Sequence, residues 1–585
     1  MIVSYFFKVG LWASLGVSVA GLTACSGTSG SKTQDVEIIT LDGPQTVQQV
    51  TAMFDDDWLL NTKVHHRASS YIPSQCYTRT EGQNGKVHNP CFTCHSTPKA
   101  PTYIDDTSFQ MAYEFRDTSR KNPWINLFKD RTEAVANISD DTIMEYVRQS
   151  NYFDEDGRII LAETLKDVPK NWDFNGDGEW NGYRPDCYFN FDSEGFDRTP
   201  SGEDSGWRSF GYTPFLGTFW PTNGSTDDVI MRLAPAFRKD ENGAWDRDVY
   251  RLNLAIVEAL IKRRNVSIPP TDETLYQVDL NKDGELGQAT EVVYDWAPLE
   301  GRYMSYVGQA KQQLAQKKVH LAGGLYPEGT EFIHSVRYID FDENGDIRMS
   351  PRFKELRYGI KTNWNTYTQL RNVAMEELKE AHDFPDRLRY VQGSPEGGML
   401  SGVGWTYQGF IEDQNGDLRP QSYEESLNCI GCHAGISQTT DTSFAFPRKL
   451  DADAFQGGWY HWTQKGLSGI PEPKWSDGTY EYTQYLLENG SGNEFRNNPE
   501  VIAKFFDEKG EVKPEALERL HGDIGYLLLP SPERAKALNK AYKVIVDEQS
   551  YIYGRTPHIK SLKDTVWLEP PADEPTGVKE AVLIP

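Results

Sequence analysis

The chain has 585 residues, a formal charge of −26, and 12% aromatic and 25% charged side chains. That length exceeds what one hydrophobic core sustains, so several domains are expected. The acid excess argues against nucleic acid as a partner, because no basic patch is segregated from it; the short runs "IKRRNV" near 263 and "KQQLAQKK" near 315 read as solvated helix faces.

The first 25 residues, "MIVSYFFKVGLWASLGVSVAGLTAC", carry one lysine and then an apolar run too short and too rich in small residues for a membrane span. That is the build of an export signal. Leu22, Thr23, Ala24 and Cys25 resemble the lipobox of bacterial lipoproteins. The resemblance implies cleavage after residue 24 and acyl chains on Cys25, which hold the protein on a membrane surface without crossing it. Ser26 stands where members kept at the inner membrane have aspartate, which implies the outer membrane, on its periplasmic or cell-surface face. An ordinary signal peptide with an incidental cysteine is the alternative. Residues 25–50, opening "CSGTSGSK", read as a flexible tether.

In chain order, the first chemistry beyond the tether is "NPCFTCHSTP" at 89–98, repeated as "LNCIGCHAGI" at 427–436. Each holds a pentad: Cys91, Cys94 and His95, then Cys429, Cys432 and His433, 338 positions later. Two CxxC pairs could supply a zinc site, and one could be a thioredoxin-like dithiol. Neither needs a histidine directly after the second cysteine. Covalent haem does: two thiols reach the vinyl groups along one porphyrin edge, and the next imidazole reaches the iron. Two haem c groups are therefore expected, with His95 and His433 as proximal iron ligands. Export agrees, since such haem is attached outside the cytoplasm. For the far side of the first iron, His66 is the candidate, with His65 beside it and His88 less well placed; for the second it is His461, with Met399 as the alternative. Setting Cys25 and the pentads aside leaves Cys76 and Cys187, a candidate disulfide in an oxidising compartment or else two inert thiols.

Between the pentads, "DFNGDGEWNGY" and "DLNKDGELGQA" place Asp173, Asn175, Asp177 and Asp279, Asn281, Asp283 as oxygen donors with glycine at the sixth position, as in a calcium loop. Arg184 and Thr290 stand where the bidentate glutamate belongs, with Glu291 one place late, so a tight turn competes with calcium. "DEDG" at 154, "DENG" at 240, "DENGD" at 342 and "DQNGD" at 413 read as hairpin turns. Leu252, Ala255, Ile256, Ala259 and Leu260 form one apolar stripe in a helix over 248–264. Further helices are predicted near 303–318, over 368–382, and from Pro532 with Ser531 as cap.

The lipobox and the two pentads together resemble bacterial di-haem c-type cytochrome lipoproteins. The expected fold class is α+β, multidomain and loop-rich, with short β-hairpins and scattered helices packed around two covalent haems. The expected divisions are a first haem module at 51–240, a helical and hairpin region at 241–400, and a second haem module at 401–585. The resemblance implies electron transfer between redox protein partners, such as a quinol-linked donor and an extracytoplasmic acceptor. A di-haem oxidoreductase with one open iron is the alternative; its peroxidase branch has the pentads much closer together than 338 positions.

Overall fold

The computed structural model describes residues 71–571, apart from 82–86, 89–90, 96–99, 104–116, 217–220, 385, 388–389, 476, 491–493 and 497. The lipobox, Cys25, the tether, His65 and His66 lie outside the described residues, as does the side chain of His88.

Strands appear from the start of the described chain. β1 (Thr80–Glu81) and β2 (Val87–His88) make a small hairpin just before the first pentad. They are followed by β3 (Phe196–Arg198), β4 (Asp204–Ser209), β5 (Thr226–Asp227) and β6 (Ile230–Arg232). A second separate hairpin joins β7 (Val266–Asp272) to β8 (Gln288–Val292). The long strands β9 (Glu331–Phe341) and β10 (Ile347–Lys361) come next, then β11 (Gly393–Ser394), β12 (Gly398–Leu400), β13 (Trp405–Glu412) and β14 (Leu418–Pro420). One antiparallel sheet of ten strands has the order β11-β12-β13-β10-β9-β6-β4-β3, with β14 on β13 and β5 on β9. Its turns are closed by aspartates: Asp342 Oδ1 accepts from the amides of Asn344 and Asp346, both at 2.9 Å. Asp154, Asp240 and Asp413 do the same in their own turns. A carboxylate that bonds amides two and four residues on takes over a backbone turn's role, so all four acidic clusters are turns, as predicted.

Helices cover the sheet. α1 (Asp140–Val147) starts at Ser139, whose hydroxyl accepts from Thr142 N. α2 (Arg247–Lys262) is capped by Asp246 and ends at Arg263, which turns left-handed at φ 53°. Its predicted stripe is buried, but so are Leu254, Val257 and Ile261, so the helix is enclosed nearly all round. α3 (Gly308–Ala315) is shorter than the expected 303–318, and α4 (Tyr367–Asp383) carries a capping box between Thr366 and Gln369. α5 (Tyr423–Cys432) bears the second pentad. α6 (Pro532–Glu548) begins at Ser531 as predicted, the hydroxyl accepting from Arg534 N at 3.1 Å.

The architecture is α+β. Register decides what each face of the central strands does: Arg357 of β10 pairs with His334 of β9 and Gly409 of β13, while Leu356 pairs with Ser335 and Phe410. Ile333, Leu356 and Phe410 therefore pack on one face with Trp180 and Trp207. Phe332, His334, Val336, Glu355, Arg357 and Tyr407 point to the other, because successive side chains alternate. The sheet draws strands from each of the segments 51–240, 241–400 and 401–585, and Phe54–Pro585 forms one compact unit. The divisions at 240 and 400 lie inside that unit.

Candidate functional site

The first pentad follows the β1–β2 hairpin as a single 3-10 turn, Cys91–Thr93, tightened by His95 N donating to Cys91 O at 2.9 Å. The second closes α5. Ser422 opens that helix with a capping box, accepting from Glu425 N while Glu425 reaches back to Ser422 N. Arg419 grips the same Glu425 through two bonds of 2.8 and 3.0 Å, both side chains buried. The start of α5 is thus fixed by a bidentate pair as well as a cap, which sets where Cys429 and Cys432 emerge.

The chain brings the pentads together. Ser437 Oγ donates to Cys94 O at 2.9 Å, and Thr102 Oγ1 to Thr439 O at 3.2 Å, so each pentad's flank is bonded to the other's. Gly431, between the second pair of cysteines, lies against the segment leading to the first: a Cβ there would stand 1.9 Å from Tyr71 O and 2.7 Å from Pro73 Cδ. Only glycine admits that approach.

All six pentad residues line one cavity, whose floor is the sheet face carrying Phe332, His334, Glu355, Arg357 and Tyr407. Its volume is about 280 Å³, close to the lower end of the roughly 300–1,000 Å³ range of ordinary ligand pockets. The remaining walls are mostly aromatic and aliphatic, with Tyr212, Phe215, Leu216, Phe444 and Tyr485, and four arginines reach it: Arg357, Arg448, Arg496 and Arg555. Burial alone would raise the carboxyl of Glu355, but Arg357 and Arg555, bonded at 2.9 and 2.7 Å, hold it down at about 2. Burial pushes Asp227 up to about 8 although the Tyr212 hydroxyl donates to it.

Histidine chemistry separates the candidates. His433 Nδ1 lies 2.7 Å from Thr442 O, and a carbonyl only accepts, so Nδ1 carries the proton. Burial holds the ring at about 4, hence neutral at pH 7, with its lone pair on Nε2, the form that binds metals. The loop that presents Thr442 O is left-handed at two consecutive residues that are not glycine, Asp441 (φ 49°) and Thr442 (φ 61°). It is held there by Lys361, whose ammonium meets both oxygens of Asp441 at 2.6 and 2.7 Å with both side chains buried.

His461 is arranged differently. Its Nε2 faces the Asp228 carboxylate at 3.3 Å and so carries the proton, and its Nδ1 accepts from Thr463 N at 3.4 Å. Stacked on Phe191 at 4.8 Å, it caps a turn and is absent from the cavity wall. The structure thus places the expected distal histidine of the second pentad elsewhere, for lack of a lone pair to offer. Met399 is fully buried in the core, also away from the cavity. A histidine that the sequence reading passed over, His334, does line it.

The candidate disulfide is corrected. None of the six described cysteines is bonded to another; Cys187 is buried beneath the sheet's other face, and Cys76 packs with Tyr77 and Trp124 beside the cavity. In the first candidate calcium loop, the carboxylate of Asp173 accepts from the amides of Gly176, Asp177 and Gly178, and Asn175 bonds Asp177. In the second, Asp279 accepts from Gly284 N and Asn281 bonds Asp283, while Glu291 is taken by Asn265. Among the described residues no three His, Cys, Asp or Glu side chains are grouped to hold a metal ion. The first loop thus uses the Asp173 carboxylate to close its own turn, whereas in the second the buried Asp279 Oδ1 has no hydrogen-bond partner among the described residues.

Among the described residues no helix is long and apolar enough to cross a membrane. No solved structure matches the chain. A protein of Aquifex aeolicus (strain VF5) named "Uncharacterized lipoprotein" is 32% identical over 552 residues, covering 84% of this chain and 86% of its own. A family model described as "-like lipoprotein" matches residues 61–518, a span that includes both pentads and the whole cavity floor. The chain belongs to this lipoprotein family, whose name is that of exported, lipid-anchored proteins.

Proposed function

We propose that this lipoprotein is a di-haem c-type cytochrome that relays electrons in an extracytoplasmic redox chain. The observation that carries the reading is that two CxxCH pentads, 338 positions apart, face a single apolar-walled cavity and are hydrogen-bonded flank to flank. The competing uses of such cysteines fit less well. A redox dithiol needs a lowered thiol pKa, whereas burial pushes Cys91 up, with Cys94 beside it, and also Cys429. A zinc site needs four donors in one small sphere, and the described residues contain no such group.

The cavity's chemistry suits porphyrin: its aromatic and aliphatic walls match a macrocycle, and its four arginines are donors for propionate carboxylates. When bound, haem iron supplies a one-electron couple at each pentad. The chain's own part is to anchor and orient: Cys91 and Cys94 at one site and Cys429 and Cys432 at the other form the thioethers, and His95 and His433 present nitrogen to the metal. Thr442 O fixes the His433 tautomer, and the sheet beneath gives a floor that resists reorganisation when charge changes. Cys25 would carry the lipid, with 25–50 as tether, and Ser26 favours the outer membrane.

Production of the full chain in a host that matures c-type cytochromes tests this. Intact mass should show two haems, and the pigment should stay with the polypeptide on acid extraction; Cys91→Ser/Cys94→Ser and Cys429→Ser/Cys432→Ser should each lose one. Extractable pigment, or none, defeats the reading. Asp227 favours a second reading, a di-haem oxidoreductase: at about 8 its carboxyl keeps a proton at neutral pH inside the cavity and could deliver it to a small substrate. Peroxide or oxyanion turnover that falls with Asp227→Asn while haem content is unchanged would select it.

A further inference from the structure

Behind the cavity wall, tyrosines are gathered around one carboxylate. Tyr542 of α6 lines the cavity, and its ring meets that of Tyr338 of β9 edge to face, with centroids 5.6 Å apart. Tyr338 meets Tyr146 of α1 in the same way at 5.8 Å, and Tyr146 is only partly buried. The row of rings therefore runs from the cavity to the outside of the protein. Ile143, Val147, Ile411 and Ile545, all buried, pack around it and keep water away.

A base at the centre sets this row apart from ordinary packed aromatics. Glu412, the last residue of β13, is fully buried. Its Oε1 accepts from the Tyr146 hydroxyl at 2.5 Å and from Arg352 Nε at 2.6 Å, and its Oε2 accepts from the Tyr338 hydroxyl at 2.6 Å. Burial and Glu412 raise both phenols above their ordinary range, so each keeps its proton at rest and loses an electron only as that proton passes along its hydrogen bond. Burial also raises Glu412 against the pull of Arg352, which makes it a better proton acceptor than a surface carboxylate. Two neighbouring tyrosines lack such a base. Tyr551 donates to Glu412 O at 2.7 Å, a main-chain carbonyl that takes no proton, and the buried Tyr542 hydroxyl has no partner among the described residues. Lys354 Nζ stands 4.2 Å from the centre of the Tyr542 ring and 4.8 Å from that of Tyr338, so its charge opposes loss of an electron most at Tyr542. The cations over Tyr146, Arg352 at 3.8 Å and Lys543 at 4.9 Å, are paired with Glu412 and Asp547.

We propose that Tyr338 and Tyr146, sharing Glu412 as proton acceptor, form an exit for oxidising equivalents from the cavity to the protein surface, with Tyr542 as the bridge. This rests on the di-haem reading above and adds to it a route by which the cavity survives hydrogen peroxide, the oxidant. Reduction of hydrogen peroxide in the cavity takes two electrons, and two protons from solvent, and releases two waters. Each electron is drawn from Tyr338 across Tyr542 while the phenolic proton moves to Glu412. Tyr146 then refills Tyr338, which recovers its proton from Glu412, and the proton of Tyr146 takes that place. A one-electron reductant at the surface restores Tyr146, and Glu412 returns the proton. The cavity walls are thereby spared oxidation in place.

The test freeze-quenches the matured full chain after mixing with hydrogen peroxide. Organic radicals are read by electron paramagnetic resonance, with ring-deuterated tyrosine to identify them, and a nitroso spin trap marks those that reach the surface. The parent should give a tyrosyl signal and a trap adduct at Tyr146, located by peptide mass spectrometry. Tyr338→Phe should lower the radical yield several-fold and abolish the adduct at Tyr146. Tyr146→Phe should abolish that adduct and leave a longer-lived signal on Tyr338. Glu412→Gln keeps an acceptor oxygen without a base and should act like Tyr338→Phe, whereas Tyr551→Phe should match the parent. Should Glu412→Gln not mature, the phenylalanine variants, which remove only hydroxyls, decide together with slower radical formation in deuterium oxide. Two haems with no tyrosyl signal overturn the relay, as does a signal and adduct unchanged in Tyr338→Phe or lost equally in Tyr551→Phe. Absence of haem from the parent, seen in its intact mass before peroxide is added, overturns the di-haem reading and the relay with it, so the two failures are distinguishable.

Discussion

Lys361 and Asp441 form the buried ion pair on which the loop under His433 depends. Lys361→Met leaves the Asp441 carboxylate buried with Tyr326 N, at 2.9 Å, as the donor that still reaches it. Removing one partner of such a pair costs about 3–5 kcal/mol, because the remaining charge is uncompensated. The same loop stores about 1–3 kcal/mol at each left-handed residue, Asp441 and Thr442, so it has an incentive to relax once the clamp is gone. For a cooperative unit of Phe54–Pro585, the unfolding entropy near the midpoint is about 1.1 kcal/mol per K, so the thermal midpoint should fall by only about 3–5 °C. Local readouts should therefore respond more than global ones. Hydrogen exchange in the 434–444 segment should accelerate and, if the di-haem proposal holds, the potential of the second haem should change as Thr442 O leaves His433 Nδ1. Asp441→Asn should behave similarly, and the Lys361→Met/Asp441→Asn double variant should cost less than the sum of the singles, since it leaves neither charge alone. Strict additivity, or exchange in 434–444 like that of the parent, would refute the claim that this pair positions the histidine.

Gly431→Ala gains about 1 kcal/mol in helix propensity, yet its methyl would meet Tyr71 O at 1.9 Å. Overpacking of about 1–3 kcal/mol or more should prevail; calorimetry should show net destabilisation, and a stabilised variant would mean that the Tyr71–Pro73 segment is not where it is described. Glu472 is buried against Thr483, with His521 at 3.7 Å and Glu481 nearby, and burial raises its carboxyl from 4.5 to about 7. A raised folded-state value means that the native state holds the proton more tightly, so the stability this gives is complete below about pH 4.5 and lost as pH climbs to about 7, on the order of 3 kcal/mol. Glu472→Gln should flatten that part of the stability–pH profile in chemical denaturation and be the more stable form above pH 7; an unchanged profile would contradict it. A fragment of residues 401–585 should be insoluble, because β13 would lose β10 and β12 and expose apolar edges; a soluble, haem-bearing fragment would show that the second pentad folds alone.

Local chemistry was legible from the residues. Asp-Xaa-Asn-Gly runs became turns, Ser531-Pro532 started α6, and the stripe from Leu252 to Leu260 is buried in α2. A further signal stood in "SYEESLNC", where Ser422 and Glu425 have capping-box spacing just ahead of the second pentad. Pairings set by the sheet were not legible. His334 sits in "EFIHSVRYID", where a histidine among alternating apolar residues gives no hint of what lies across the strand. His461, by contrast, stands only 28 positions past His433, and proximity in sequence favoured it until Asp228 and Thr463 were seen to take its two nitrogens. The same non-locality put the modular division out of reach, since β9 and β10 from the middle segment form the floor shared by both pentads.

On the proposed di-haem reading, that shared floor bears on why so long a chain would serve two redox groups. Separate modules joined by a linker would leave the distance between centres to chance, and every change of charge would be met by reorganising water. Here the flanks of the pentads are bonded to each other, Gly431 allows the first segment to lie against the second helix, and Arg357 and Arg555 are paired with Glu355 of the sheet strand β10. Fixed dipoles and paired charges in a low-dielectric enclosure do not have to reorient when an electron arrives, which lowers the cost of transfer. The residues that set this environment come from all parts of the described chain: Trp124, Tyr212 and Asp227 from its first half, Arg357 from β10, and Arg448, Arg496 and Arg555 from the C-terminal third. On that reading the length is accounted for by the enclosure rather than by the proposed attachment sites, each of which needs five residues.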